Sequence, residues 1–345
     1  MLYVTTRSSR DAFTAYRALC ENRGPDGGLY VPFHLMPLSE EEIQALAGKS
    51  FNRCVAEMLN RMFNTRLSAW DVDFCIGRYS VRLEKTNQRI LIGECWHNLE
   101  WEFPRMIRAL AALVRGDQNL DIIPGDWTCV GVRIAVLFGI FGELMRAEIA
   151  GAEKAVDVIV TTGDFSAVMG AWYARYLGLP VGNIVICCND NGNIWNLFHQ
   201  GQMRTDTVAV NTDTPLLDIT LPAGLERLIY ACGGMSEVHK YVEICRRGGS
   251  YCPDEVMLSR LRRGIHVSVI SQKRMDATIL NVYANNHYLL SPYAALQYSG
   301  LMDYRSRTGE SRYALILSER SPELDKNVIA KAIGINPHKS GSSGK

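Results

Sequence analysis

Ala155-Val-Asp-Val-Ile-Val-Thr-Thr162 is a buried-strand run, rich in β-branched residues. Gly163-Asp-Phe-Ser166 breaks it, Ala167 to Leu177 follows as a helix stopped at Gly178, and Val181-Gly-Asn-Ile-Val-Ile-Cys-Cys188 is a second strand run. Two strands joined by one crossover helix of this length run parallel in the same sheet. A parallel sheet needs helices on both faces. This one unit therefore commits the chain to an α/β fold with a parallel sheet.

The flanking sequence extends that reading. Residues 1–85 read as a small helical unit. In it, Gly24-Pro-Asp-Gly-Gly-Leu-Tyr-Val-Pro32 is a turn cluster leading into a short apolar strand. Ser39 and Glu42 have the spacing of a capping box. Val55, Met58, Leu59 and Met62 mark the buried face of a helix over Phe51 to Phe63. Residues 86–335 form the α/β domain. It opens with a strand at Arg89-Ile-Leu-Ile-Gly93 and a helix from Pro104 to Arg115, a start that proline tolerates. A second helix follows Gly125-Asp-Trp127, and Tyr313-Ala-Leu-Ile-Leu-Ser318 is a late strand. Residues 336–345 are a Gly/Ser-rich tail expected to be disordered.

Composition narrows the partners. The chain has 345 residues, 47% hydrophobic and 21% charged, with a formal net charge of +1. Nothing in that balance would steer nucleic acid or an anionic membrane. The longest apolar run, Ile134 to Glu143, is too short to span a bilayer and reads as a core helix. The N-terminus lacks the basic-then-apolar order of a signal peptide. Ten cysteines without a Cys-x-x-Cys support neither a zinc site nor a disulfide framework, and fit reduced thiols in the cytoplasm.

Two groups of residues are candidates for chemistry. At Gly163, Asp164, Phe165, Ser166 and Ala167 a turn feeds a helix N-terminus, whose free amides suit a phosphate. Asp164 adds a negative charge there, so an acidic helix cap is the competing reading. His97, Glu100 and Glu102 form a dense polar cluster suited to acid–base work or to a metal. Their spacing matches no metal signature or helix face, so no metal is expected and a solvated pocket rim is favoured.

The motifs together resemble threonine synthase. Gly24 to Pro32 is close to the N-terminal signature of that family. Gly170-Ala-Trp-Tyr-Ala-Arg-Tyr-Leu-Gly-Leu-Pro180-Val is similar to its Ala-Gly-x-x-Ala-Lys-x-Met-Gly-Leu-Pro-Ile. Asn189-Asp-Asn191, Phe198-His-Gln-Gly201, Asp218 to Leu228 and Ser291-Pro-Tyr-Ala-Ala-Leu296 follow in the family's order. The resemblance implies a fold-type-II pyridoxal-phosphate enzyme that converts O-phosphohomoserine to threonine.

Key parts of that enzyme are altered. Its Schiff-base lysine lies in a stretch reading Leu-Glu-Leu-Phe-His-Gly-Pro-Thr-Leu-Ala-Phe-Lys-Asp. Aligned on His97 and Phe103, Pro104 takes the lysine position, and Glu100 and Glu102 replace Thr and Ala. In the phosphate loop, Asp164 and Ser166 replace an Asn and a Gly. After Leu113-Val-Arg-Gly-Asp117 the family's small swivelling domain, about 100 residues, is absent, and the chain runs straight to Asp126 to Arg133. Ser318-Glu-Arg-Ser-Pro322 replaces the late Gly-Thr-Ala-His-Pro, whose Thr faces the pyridine nitrogen. Lys85 and Lys154, the nearest lysines, read as surface charges, and Trp96 and Trp101 as fillers of the vacated space.

Three functions follow in order of preference. The first is a degenerate relative without lyase activity, binding a protein partner or a small anionic ligand and able to self-associate. The second is a new enzyme built on His97, Glu100, Glu102 and Asp164. The third is an active threonine synthase. Pyridoxal phosphate enters by resemblance only, and none is expected to be bound.

Overall fold

The computed structural model describes residues 1–77, 81–86, 89–96, 103–116 and 125–334. Its centre is a six-stranded sheet in the order Ile265–Val269, Val181–Cys188, Val156–Thr161, Ala314–Ser318, Ile90–Glu94, Arg82–Lys85. The first five run parallel, as the crossover predicts, and only the Arg82–Lys85 edge is antiparallel. Side chains alternate between the two faces. Val158, Val160, Ile184, Ile186, Leu315 and Leu317 enter one core; Ile159, Val185, Cys187, Ala314 and Ile316 enter another. Helices cover both, Trp127–Arg146 and Ser166–Tyr176 on the first side, Gln272–Asn286 and Pro292–Thr308 on the second.

Two central strands part company at their C-terminal ends. Ala314–Ser318 pairs with Ile90–Glu94 along its whole length, but with Val156–Thr161 only as far as Ile316 opposite Ile159. Beyond that point a cleft opens. Ligands in open α/β sheets bind at this place, past the carboxyl ends of the strands.

The Trp127–Arg146 helix is longer than its apolar run suggested. It has 20 residues and a mean hydropathy of 1.7 over an 18-residue window, enough by length and composition to cross a membrane. Yet 83% of that window is buried inside the protein. Gly131 and Gly139 leave room for the rings of Phe63 and Phe51, which a Cβ at either position would strike. Asp126 caps the helix, accepting from the Cys129 amide at 2.7 Å.

The N-terminal unit is not purely helical. Leu2–Thr5 is the middle of a three-stranded antiparallel sheet, flanked by Phe13–Thr14 and Tyr30–Pro32. Tyr30–Pro32 is the short strand expected after the turn cluster, whereas Leu2–Thr5 and Phe13–Thr14 carry too little alternation to be read from sequence. Helices at Glu40–Ala47, with its Ser39/Glu42 capping box, and Phe51–Phe63 appear where expected. Arg82–Lys85 joins the large sheet, so a boundary at 85 cuts through it. Tyr3, Val55 and Leu59 share one core with Phe138 and Phe141.

Candidate functional site

The cleft encloses a cavity of about 530 Å³. Its floor is the parted strand ends, at Thr161, Thr162 and Leu317. One wall is the turn Gly163 and Asp164 with Ser166 and Ala167 of the helix it feeds. A second is the Phe103–Arg115 helix, which contributes Pro104, Ile107 and Arg108, and a third is the Pro215–Ile219 segment. Cys129, Arg133, Tyr293, Gln297, Glu319 and Arg320 complete the lining.

The predicted phosphate turn is present, and its own carboxylate already fills it. Gly163 has φ +43° and Phe165 φ +72°, a left-handed pair that bends the chain into the helix. Asp164 Oδ1 accepts from the Ser166 amide at 2.9 Å and its hydroxyl at 2.6 Å, while Oδ2 accepts from the Gly125 amide at 2.8 Å. Phe165 turns away and is fully buried in the core. An anion is thus built into the helix N-terminus.

Next to that turn lies an ion pair. Arg133 donates through Nε to Ser166 Oγ at 3.0 Å, through Nη2 to Glu319 Oε2 at 3.1 Å, and through Nη1 to Glu319 Oε1. Burial pulls the guanidinium pKa down, but the Glu319 carboxylate more than offsets it and the net shift is upward. Phe103 packs against this guanidinium, 5.1 Å from its carbon to the ring centroid. The two partners are 186 residues apart in sequence, and neither had been singled out as a pair.

Two further titratable groups of the lining, Cys129 and Tyr293, are held toward their neutral forms. Burial pushes the Cys129 thiol well above its ordinary range. It also pushes the Tyr293 phenol up to about 12, against the lowering effect of the Leu216 amide. A neutral thiol and a neutral phenol are poor nucleophiles and bases.

Pro104 lines the cavity at the start of its helix. His97, Glu100, Trp101 and Glu102 lie outside the described residues. Trp96 does not line the cavity; its indole N–H donates to Ser318 Oγ at 3.2 Å. Lys85 and Lys154 are both exposed. Among the described residues no cluster of three or more His, Cys, Asp or Glu side chains is arranged to hold a metal. Gln297 and Arg108 were missed: a glutamine or arginine within a helix carries no local signal that it faces a cleft.

Comparison with known proteins now bears on this geometry. Residues 2–79 match the Threonine synthase N terminus family. A threonine synthase of Pseudomonas aeruginosa is 20% identical over 224 residues, covering 62% of this chain and 46% of that protein. Human threonine synthase-like 2 is 23% identical over 194 residues, 56% of this chain and 40% of that protein. The chain is threonine synthase-like. Its matches span less than half the length of these curated relatives. The fold agrees: PLP-bound threonine synthase from Brucella melitensis superposes with a TM-score of 0.85 at 18% identity, over 98% of this chain and 92% of that one. Yeast threonine synthase gives 0.82 at 14%, over 98% and 91%. At these identities the likeness establishes the fold.

Proposed function

We propose that this threonine synthase-like chain does not carry out pyridoxal-phosphate chemistry and serves as a binding or regulatory protein. One observation carries the reading: the cavity wall has Pro104 where the family's lysine is expected, and no lysine among the described residues that line it. Proline has no amine with which to form an imine.

The phosphate end fits no better. A cofactor phosphate would need the amides that Asp164 already occupies. It would also meet the Asp164 carboxylate directly, and like charges at that range repel. The residues present do not fit the cofactor. Asp164 is equally unsuited to new acid–base chemistry, because three donors hold it in place.

The test is direct. The purified chain is incubated with pyridoxal phosphate, reduced with borohydride and weighed by mass spectrometry. No adduct and no visible cofactor absorbance are expected. A stoichiometric adduct on one lysine would overturn the proposal.

A further inference from the structure

We propose that His199 and Arg307 form a pH-released latch, which ties helices on opposite faces of the sheet together across its free edge. The groove beside it shares no lining residue with the cleft cavity, so the latch stands apart from the reading of the cleft.

The sheet ends at Ile265–Val269, which pairs with Val181–Cys188 on one side and, among the described residues, with no strand on the other. The Ile184 amide donates to the Gly264 carbonyl, and the Ile270 amide to the Cys188 carbonyl. Successive residues of a strand direct their backbone groups to alternate sides, so Val267 faces outward. An uncovered edge of this kind is a template for other chains, and charged side chains commonly guard it. Here the guard comes from both faces. Arg307, on the Pro292–Thr308 helix, donates through Nη2 to the Val267 carbonyl at 3.4 Å and to Ser268 Oγ at 3.0 Å, and pairs with Asp303 at 3.1 Å. Its Nη1 lies 3.4 Å from Nε2 of His199, on the Asn193–Gln200 helix. That helix buries Ile194 and Leu197 in one core, while the helix of Arg307 buries Leu296 and Leu301 in the other.

Contacts on both ring nitrogens fix His199 in one neutral form. The ring stacks on Trp195 with centroids 4.5 Å apart, and Nδ1 lies 3.2 Å from the Trp195 carbonyl. A carbonyl only accepts and a guanidinium only donates, so Nδ1 carries the hydrogen and Nε2 is bare. A second proton would go to Nε2, against the guanidinium. Burial holds the His199 pKa down; Arg307 and Arg262 add to that, the Trp195 carbonyl and Asp303 oppose it, and the net shift is downward. On the edge strand, His266 is shifted down as well, by burial and then by Arg307, His199 and Arg312. Asp190 and Arg204 line the same groove, with Arg204 paired to Asp206. The unfolded chain takes up these protons more readily than the folded one. The latch is therefore intact above the ordinary histidine range, and is lost as pH falls from that range through the lowered value.

Histidine titration by NMR tests the contact. His199 should titrate below the ordinary histidine range, and Arg307→Ala should move it upward. Hydrogen exchange, read by mass spectrometry and corrected for intrinsic rates, tests the release. Segments 193–200 and 303–309 should exchange about tenfold faster at about pH 5.5 than at about pH 7.5, while segment 130–145 is unchanged. Arg307→Ala should exchange fast at both. His199→Gln, which keeps an acceptor but does not titrate, should exchange slowly at both, and His266→Gln should keep the wild-type response. An unmoved His199 titration in Arg307→Ala, equal exchange of the wild type at the two pH values, a response that survives His199→Gln, or one lost in His266→Gln would each overturn the proposal.

Discussion

Arg227, where the N-terminal sheet meets the α/β domain, and Arg133, in the cleft wall, are both largely buried cations held in different ways. Arg227 is fully buried, and its described hydrogen bonds go to neutral oxygens: Nε to the Tyr30 carbonyl at 3.0 Å and Nη1 to the Gly125 carbonyl. Its Nη2 has no hydrogen-bond partner among the described residues, and burial pulls its pKa below the ordinary value. Arg133 has a carboxylate of its own in Glu319. The junction thus depends on backbone that no side-chain substitution can redirect, whereas the cleft depends on a side-chain pair that can be exchanged. A contact of the first kind is insensitive to side-chain exchange, whereas one of the second kind is not.

Arg227→Met is the most severe test of that contrast. It strands two buried carbonyls, and urea denaturation should show a loss of about 3 kcal/mol. Glu319→Gln should cost less, about 2 kcal/mol, because it leaves Arg133 buried with a neutral partner at a site that solvent partly reaches. If the Glu319 variant lost as much as the Arg227 variant, the two regions would not differ in kind. The smallest effect concerns reactivity rather than stability. Burial raises the Cys129 pKa, so its thiolate is scarcer than that of a free cysteine, and alkylation at about pH 8 should mark the exposed Cys20 and Cys252 well before it. Early modification of Cys129, read by peptide mass spectrometry, would mean that the cleft holds an activated thiol after all.

Local signals located most of the secondary structure. The glycine at 178, the Ser39/Glu42 box and the apolar spacing from Phe51 to Phe63 are statements about residues a turn or two apart, and each held. The strands at Leu2–Thr5 and Phe13–Thr14 were missed because their stability comes from partners across the sheet rather than from their own few residues. In the site, Asp164 and Pro104 could be found because they depart from an otherwise matching motif. Arg133 with Glu319, Asp164 with Gly125 and the floor position of Gln297 join positions 186, 39 and 138 residues apart, and nothing in one sequence registers such pairs. The Ser166 hydroxyl likewise links Asp164 to Arg133, which is 33 residues from Ser166 in sequence.

Gly125 has one further consequence. Its amide is pinned to Asp164 in the cleft and its carbonyl to Arg227 at the junction. Its φ of +80° suits glycine, and an added Cβ would crowd Ala223. One residue therefore works as a universal joint with both arms fixed. Loosening either arm frees the other, so slow exchange of the Gly125 amide proton would act as a gauge of junction integrity read from inside the cleft. Drift in the binding site is bounded in the same way: it can proceed only as far as this joint stays seated.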